Sequence, residues 1–417
     1  METAHKKSPR IFYGWWIVLA AASAFALNGG VFRYGLGAFF EPLLQEFKCS
    51  RVVLSGAFSL RSLETGLLGP IDGFLVDRFG SRRMALIGVI IAGSGFLILS
   101  RVPNIAAFYA AFLFLTVGIG LGFGTALMTA IGNWFDKKRG LAFGIAQSGL
   151  GIGGILVPVV SSIIVRQGWR FVAQGIGFLF LAIGIPIALT VRDSPERYGY
   201  LPDGENEAKS GAEVKAKAKD GFTTKEALSS PVFWLLAIVF ALRFMVTGAV
   251  PVHIMPYLTD VGFSTERAAA ALGSIAAVST LGRMGFGWLG DRLPKRYVIA
   301  GLLTMLAASL LLLTRVRTFP QLIIYIAAYA PAYGGLATLT QAIRAEYFGR
   351  RSFGSIMGYM NLLSYLGTAA GPVFAAYVWE KTGSYRLAFI ILAITTLMAM
   401  VMVLWAKPPA RKRQEQN

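Results

Sequence analysis

One cysteine, Cys49, and two histidines, His5 and His253, are the only thiol and imidazole groups in this chain. A lone thiol closes no internal disulfide, which excludes a cysteine redox pair. With so few histidines and only scattered acids, no cluster has metal-ligand spacing, so neither a metal nor a cofactor is expected. Acids are scarce too: 21 Asp and Glu stand against 40 Lys and Arg. Charge of either sign is thin, at 15% of 417 residues, where a soluble domain carries about 25%. No G-x-x-x-x-G-K-[ST] phosphate loop occurs, which disfavours an ATP-driven pump. No nucleophile stands beside a base at a recognisable spacing, so no enzyme activity is expected.

What the chain has in abundance is apolar length. It is 55% hydrophobic, and its mean hydropathy is +0.60. Apolar runs of about 20 residues recur, the length that crosses a bilayer. These features predict an all-α polytopic membrane protein with twelve spans, near 14–36, 52–76, 84–101, 105–132, 140–165, 170–191, 231–258, 264–289, 297–315, 319–346, 353–379 and 386–406. The net charge of +19 raises a nucleic-acid partner, but most basic residues fall at the two ends and in alternate loops. That is the asymmetry of the positive-inside rule. It puts both termini in the cytoplasm of a cell (inner) membrane protein, with lipid rather than nucleic acid around it. The basic run His5 to Arg10 precedes an apolar stretch too long for a signal peptide, and reads as the start of an uncleaved span.

Residues 192–230 are polar and rich in Lys, Glu, Ala and Gly, which marks a cytoplasmic linker between 1–191 and 231–417. Within it, Thr223 to Leu228 fits either a short interfacial helix or a plain tether. The flanking halves repeat at an offset of 214: Pro42 matches Pro256, Gly73 matches Gly287, Asp77-Arg78 matches Asp291-Arg292, and Pro158 matches Pro372. A constant offset over more than 100 residues implies two six-helix bundles of parallel topology with a site between them near the midplane.

Gly73, Asp77-Arg78, Gly80 and Arg82-Arg83 form a G-x-x-x-D-R-x-G-x-R-R motif after the second span, repeated more weakly at Gly287, Asp291-Arg292 and Arg296. On this motif and its repeat, the chain resembles the major facilitator superfamily along almost its whole length. The resemblance implies that fold and a conformational role for Gly73, Asp77, Arg78, Arg82, Asp291 and Arg292. Physically, Gly73 permits close helix contact, and Asp77 suits a neighbouring helix N-terminus.

A repeat makes charged positions without a charged counterpart the best functional candidates. Arg283 stands where the first half has Gly69, Arg243 where it has Gly29, and His253 where it has Phe39; Arg61 and Glu64 face Ile275 and Val278. Adding Arg33, the interior is cationic, with Asp72 assigned near the cytoplasmic end. A cationic cavity selects anions. A charge in mid-bilayer costs roughly 2.5–3.5 kcal/mol on insertion scales, so it is retained where it faces protein or water. Arg283 is therefore read as the carboxylate clamp, with Ser279 and Gly287 leaving room on its helical face. Arg243 fits a second anion contact or an ion pair, and Tyr333 a ligand donor or packing. His253 fits a proton carrier or a structural donor. Arg61 and Glu64, one turn apart, fit a structural pair or a proton-linked one.

The run Leu281 to Trp288 around Arg283 resembles the eighth span of monocarboxylate transporters and oxalate:formate antiporters. Val252 to Asp260 and Tyr333-Gly334-Gly335 resemble bacterial homologues of the former. The resemblance implies that Arg283 binds a substrate carboxylate. Ser279 departs from it, standing where animal monocarboxylate transporters carry an aspartate. The resulting expectation is a monomeric transporter of small organic monocarboxylates, of the lactate or pyruvate class, moved with a proton by alternating access. The alternatives are an anion exchanger of the oxalate:formate type and a transporter-like carboxylate sensor.

Overall fold

The computed structural model describes residues 12–33, 35–204 and 221–409. The basic N-terminal run, residues 205–220 of the linker and the basic C-terminal end lie outside the described residues, as does the Arg33 side chain. What is described is helical, with no strand beyond one isolated bridge between Gly221 and Gly349.

Twelve spans run in chain order: Tyr13–Phe47, Arg51–Phe79, Ser81–Leu99, Ile105–Trp134, Arg139–Gln167, Trp169–Thr190, Pro231–Asp260, Thr265–Arg292, Lys295–Leu313, Phe319–Phe348, Phe353–Thr382 and Arg386–Trp405. Eleven are apolar enough to cross a bilayer on length and composition alone. The second is not, because Arg61, Glu64, Asp72, Asp77 and Arg78 all lie along it. Starts are set by side-chain caps: Asn104 Oδ1 accepts from Ala107 N at 2.9 Å, and Ser264 Oγ from Arg267 N at 3.4 Å. Gly80, at φ +91°, joins the second and third spans with no loop between them, a conformation that suits glycine.

The first span reaches Phe47, well past the expected end at residue 36, through a π-helical segment Asn28–Arg33 and a helix Leu36–Phe47 that tolerates Pro42. The fourth span carries a second π segment, Gly120–Ala126. Both π segments contribute to the central cavity described below; such segments often mark functional sites. Thr224–Leu228 is a helix, closed by a Thr223–Glu226 capping box and tethered by Phe222 N donating to Phe348 O at 2.8 Å.

The first six spans form one bundle and the last six another. Two seams join them: the second span packs on the eleventh, and the fifth on the eighth. Both are built from small residues, because packing rather than hydrophobicity drives helix association in lipid. A Cβ on Gly73 would overlap the backbone of Gly354, and one on Gly287 the backbone of Gly140.

Candidate functional site

Between the bundles lies a cavity of about 250 Å³. The N-terminal bundle contributes Arg61, Asp72 and Gln147 to its wall, and the C-terminal bundle Gln341, Asn361 and Tyr365. On the side that carries the basic loops, the cavity is shut by matched contacts. Asp77 accepts from Gly354 N at 2.9 Å, Ser355 N at 2.8 Å and Ser355 Oγ at 2.6 Å, at the start of the eleventh span. Asp291 accepts from Gly140 N at 2.6 Å and Leu141 N at 2.8 Å, at the start of the fifth. Each loop aspartate of one bundle therefore caps a helix of the other, where the dipole favours a negative charge. Arg139 Nη1 donates to Ala345 O at 3.2 Å and Arg350 Nη1 to Asn133 O at 2.8 Å, tying the same end.

The motif arginines do not carry these bonds. Arg78 lies over the Phe79 ring at 5.5 Å, Arg292 over Trp288 at 3.8 Å, and Arg82 donates through its backbone N to Asp193 at 2.9 Å. Gly73 serves as the close-contact residue of the first seam.

Arg283 is 3% exposed, and its Nε and Nη1 have no hydrogen-bond partner among the described residues. Its backbone carbonyl lies against Gly144, while Nη1 would be 3.4 Å from a Cβ on Gly151. Gly151 follows Leu150 and is one turn beyond Gln147, both of which line the cavity, but Arg283 itself is not among the lining residues. The expected room beside Arg283 is not where the sequence put it. Ser279 is fully buried against Gly334 and donates to Ala276 O at 2.8 Å, and Gly287 is filled by Gly140. Small residues there let backbones approach; they do not leave a space. Gly151, on the facing helix, is filled in the same way by Thr280 Oγ1, with Arg283 Nη1 next to it.

Arg243 is 3% exposed, lies over the Phe244 ring at 4.6 Å and reaches Tyr333 through that residue's backbone carbonyl, at 3.5 Å. The Tyr333 ring stacks on Tyr329, and Tyr329 on Tyr325, in a column along the tenth span. Glu64 Oε2 accepts from Thr116 Oγ1 behind the cavity wall, and its Oε1 is buried without a hydrogen-bond partner among the described residues. Arg61 lies over the Phe32 ring at 4.7 Å and acts electrostatically on Glu64. His253 is not brought to the cavity. Its Nε2 is 3.0 Å from Pro372 O and its ring lies on Tyr385, between the seventh span and the last two.

Asp72, expected near the cytoplasmic end, and Arg344, which the sequence did not single out, both stand by this cavity. Asp72 is 6% exposed in the cavity wall, beside Gly120 of the π segment. Arg344 is fully buried behind Gln341 and Asn361. The repeat offers the signal for both: 214 residues away, Asp72 meets Phe286 and Arg344 meets Ala130.

Twelve helices in two pseudo-symmetric bundles, closed at one end over a central cavity, define a transporter architecture. The family model of the Major Facilitator Superfamily matches residues 17–295 and 276–417, and the chain belongs to that family. Similar proteins include mouse (Mus musculus) monocarboxylate transporter 12, 25% identical over 97% of this chain and 87% of its own length. Another is the uncharacterized MFS-type transporter YcxA of Bacillus subtilis (strain 168), 25% identical over 96% of each chain. Among solved structures, the proton:xylose symporter XylE superposes with a TM-score of 0.76 at 16% identity, over 95% of this chain and 96% of that one. FucP in the outward conformation gives 0.74 at 14%, over 95% of this chain and all of that one. These likenesses establish the fold and membrane transport, not an enzyme.

Proposed function

We propose that this protein moves small organic monocarboxylates of the lactate or pyruvate class, together with a proton, across a cell inner membrane. Residues 1–191 and 231–417 rock as two bodies joined by the linker 192–230, with both termini in the cytoplasm. The observation that carries the reading is the Arg283 guanidinium, buried between the bundles beside Gly151 with Nε and Nη1 unbonded among the described residues. A buried cation left in that condition is costly, and a carboxylate arriving from the cavity relieves the cost through paired hydrogen bonds. The relatives named monocarboxylate transporters support the same substrate class. A ligand moves the equilibrium between states only by binding one of them better, and the twin aspartate caps are the contacts that must break when the basic side opens.

For the proton we assign Asp72, which lines the cavity, and Glu64, which accepts from the cavity residue Thr116, ahead of His253, whose ring already meets a backbone carbonyl. The test is uptake into proteoliposomes over a panel of carboxylates, with and without an imposed acid-outside gradient. Acid-driven accumulation of lactate or pyruvate is expected, and Glu64→Gln should abolish it while leaving counterflow in place. Uptake that needs only internal substrate would replace this reading with exchange, which the excess of buried arginines also favours. Binding without movement in either assay would leave a sensor.

A further inference from the structure

We propose that Arg344 is a positioning residue that turns two cavity amides into hydrogen-bond donors. This creates a second subsite for a ligand oxygen other than the carboxylate held at Arg283. The inference rests on the monocarboxylate reading and narrows it to acids bearing a 2-hydroxy or 2-oxo group.

Arg344 is completely shielded and lies over the Phe240 ring at 4.8 Å. Its Nη1 donates to Asn361 Oδ1 at 2.8 Å and to Gln341 Oε1 at 3.3 Å. Asn361 and Gln341 themselves line the cavity and are half-buried. Guanidinium has five N–H donors and no acceptor, so the amide atom facing it must be the oxygen. With its oxygen turned to Arg344, each amide keeps its NH₂ as the donor available to the cavity. The C-terminal wall there is biased towards N–H donors, which suits an acceptor oxygen.

The remaining bonds of Arg344 point the same way. Nε and Nη2 are buried with no hydrogen-bond partner among the described residues. The charge is therefore incompletely neutralised and acts on the cavity through the two amides in a medium of low dielectric. The repeat isolates the device. Asn361 has a polar counterpart in Gln147, whereas Gln341 and Arg344 replace Leu127 and Ala130, so only one bundle has a cation behind its amide.

Propionate, lactate and pyruvate differ at one oxygen and form the probe set. KM for uptake of each would be measured for the wild type, Asn361→Leu, Arg344→Met, Arg344→Lys and the double variant Asn361→Leu/Arg344→Met. Expected is a KM for lactate and pyruvate that rises about tenfold more than that for propionate, or ~1.4 kcal/mol of lost discrimination. Adding Arg344→Met to Asn361→Leu should cost less than Arg344→Met costs the wild type, because only the Gln341 part of its effect then remains. Arg344→Lys should fall between, keeping charge but losing the planar fork. Should Arg344→Met fail to insert, Asn361→Leu carries the test with the charge left in place. Parallel KM changes for all three acids, or none, overturn this inference and leave the transport reading standing. A wild type that moves none of the three overturns both.

Discussion

Along the first seam, Gly73, Gly69 and Gly66 of the second span meet Gly354, Gly358 and Tyr365 of the eleventh. Along its twin, Gly287, Arg283 and Thr280 of the eighth meet Gly140, Gly144 and Gly151 of the fifth. Each residue of one seam is 214 positions from its counterpart in the other. Three exchanges separate them: Arg283 replaces Gly69, Thr280 replaces Gly66, and Gly151 replaces Tyr365. The bulk added at Thr280 meets the side chain missing at Gly151 on the facing helix, so the backbones keep the same close approach. Volume-conserving exchanges are the ones a packed interior tolerates. The comparison teaches how a symmetric scaffold acquires one unsymmetric, charged position without being prised apart.

The largest effect should come from erasing that difference. Arg283→Gly with Thr280→Gly and Gly151→Tyr gives the second seam the composition of the first at these positions. Uptake of any carboxylate should fall about 100-fold or more, ~2.8 kcal/mol of lost recognition. The triple variant should unfold in detergent closer to the wild-type temperature than Gly151→Tyr alone, in which the new side chain meets Thr280 Oγ1. Transport above a tenth of wild type in the triple variant would break the link between the exchange and the clamp.

The architecture was readable because crossing a bilayer dictates length, and the repeat could be counted residue by residue. Arg283 was readable by the same count. Asp72 and Arg344 obeyed the rule equally well, yet the depth of Asp72 was judged from the end of its apolar run, which put it near the cytoplasmic surface, and Arg344 was not weighed. The helices in fact continue to Phe79 and Phe348, and the closed end of the bundles covers both residues. Tertiary contacts were illegible for another reason. Nothing local to Ser279 says that Gly334 will press on it, or that Thr280 will fill the place beside Gly151.

A smaller effect tests the packing half of the comparison. Gly358→Ala places a Cβ against the Gly69 carbonyl and should cost about 1–3 kcal/mol of stability by overpacking. Gly301→Ala meets nothing within 4 Å and should be neutral or stabilising by up to ~1 kcal/mol, since alanine is the better helix former. Thermal unfolding of both variants in one detergent reads the two signs. The same sign for both would mean that the seam is not tight.

The caps rank next. Asp77 serves three donors and Asp291 two, so Asp77→Ala should open the basic-loop side more than Asp291→Ala. Loss of a cap costs about 1 kcal/mol, roughly a fivefold change in the population of the open state. With Cys49→Ala as background, a cysteine at cavity residue Met128 should react correspondingly faster with an impermeant thiol reagent applied from that side. Equal rates in the two variants would make the caps equivalent despite their different bond counts.

His253 should give the smallest effect, and it sharpens the comparison from outside the seams. Its counterpart in the repeat is Phe39, and both are buried, at 8% and 3% exposure. If the position is occupied for packing, His253→Phe restores the symmetric residue and gives up only the hydrogen bond to Pro372 O, worth about 1 kcal/mol. Acid-driven uptake should then stay within about twofold of wild type, because the ring is not among the cavity-lining residues, where we place proton uptake. The measurement that decides is accumulation under an acid-outside gradient set beside counterflow at symmetric pH. Counterflow retained with accumulation lost would make the imidazole the proton carrier, and would remove Glu64 and Asp72 from that role.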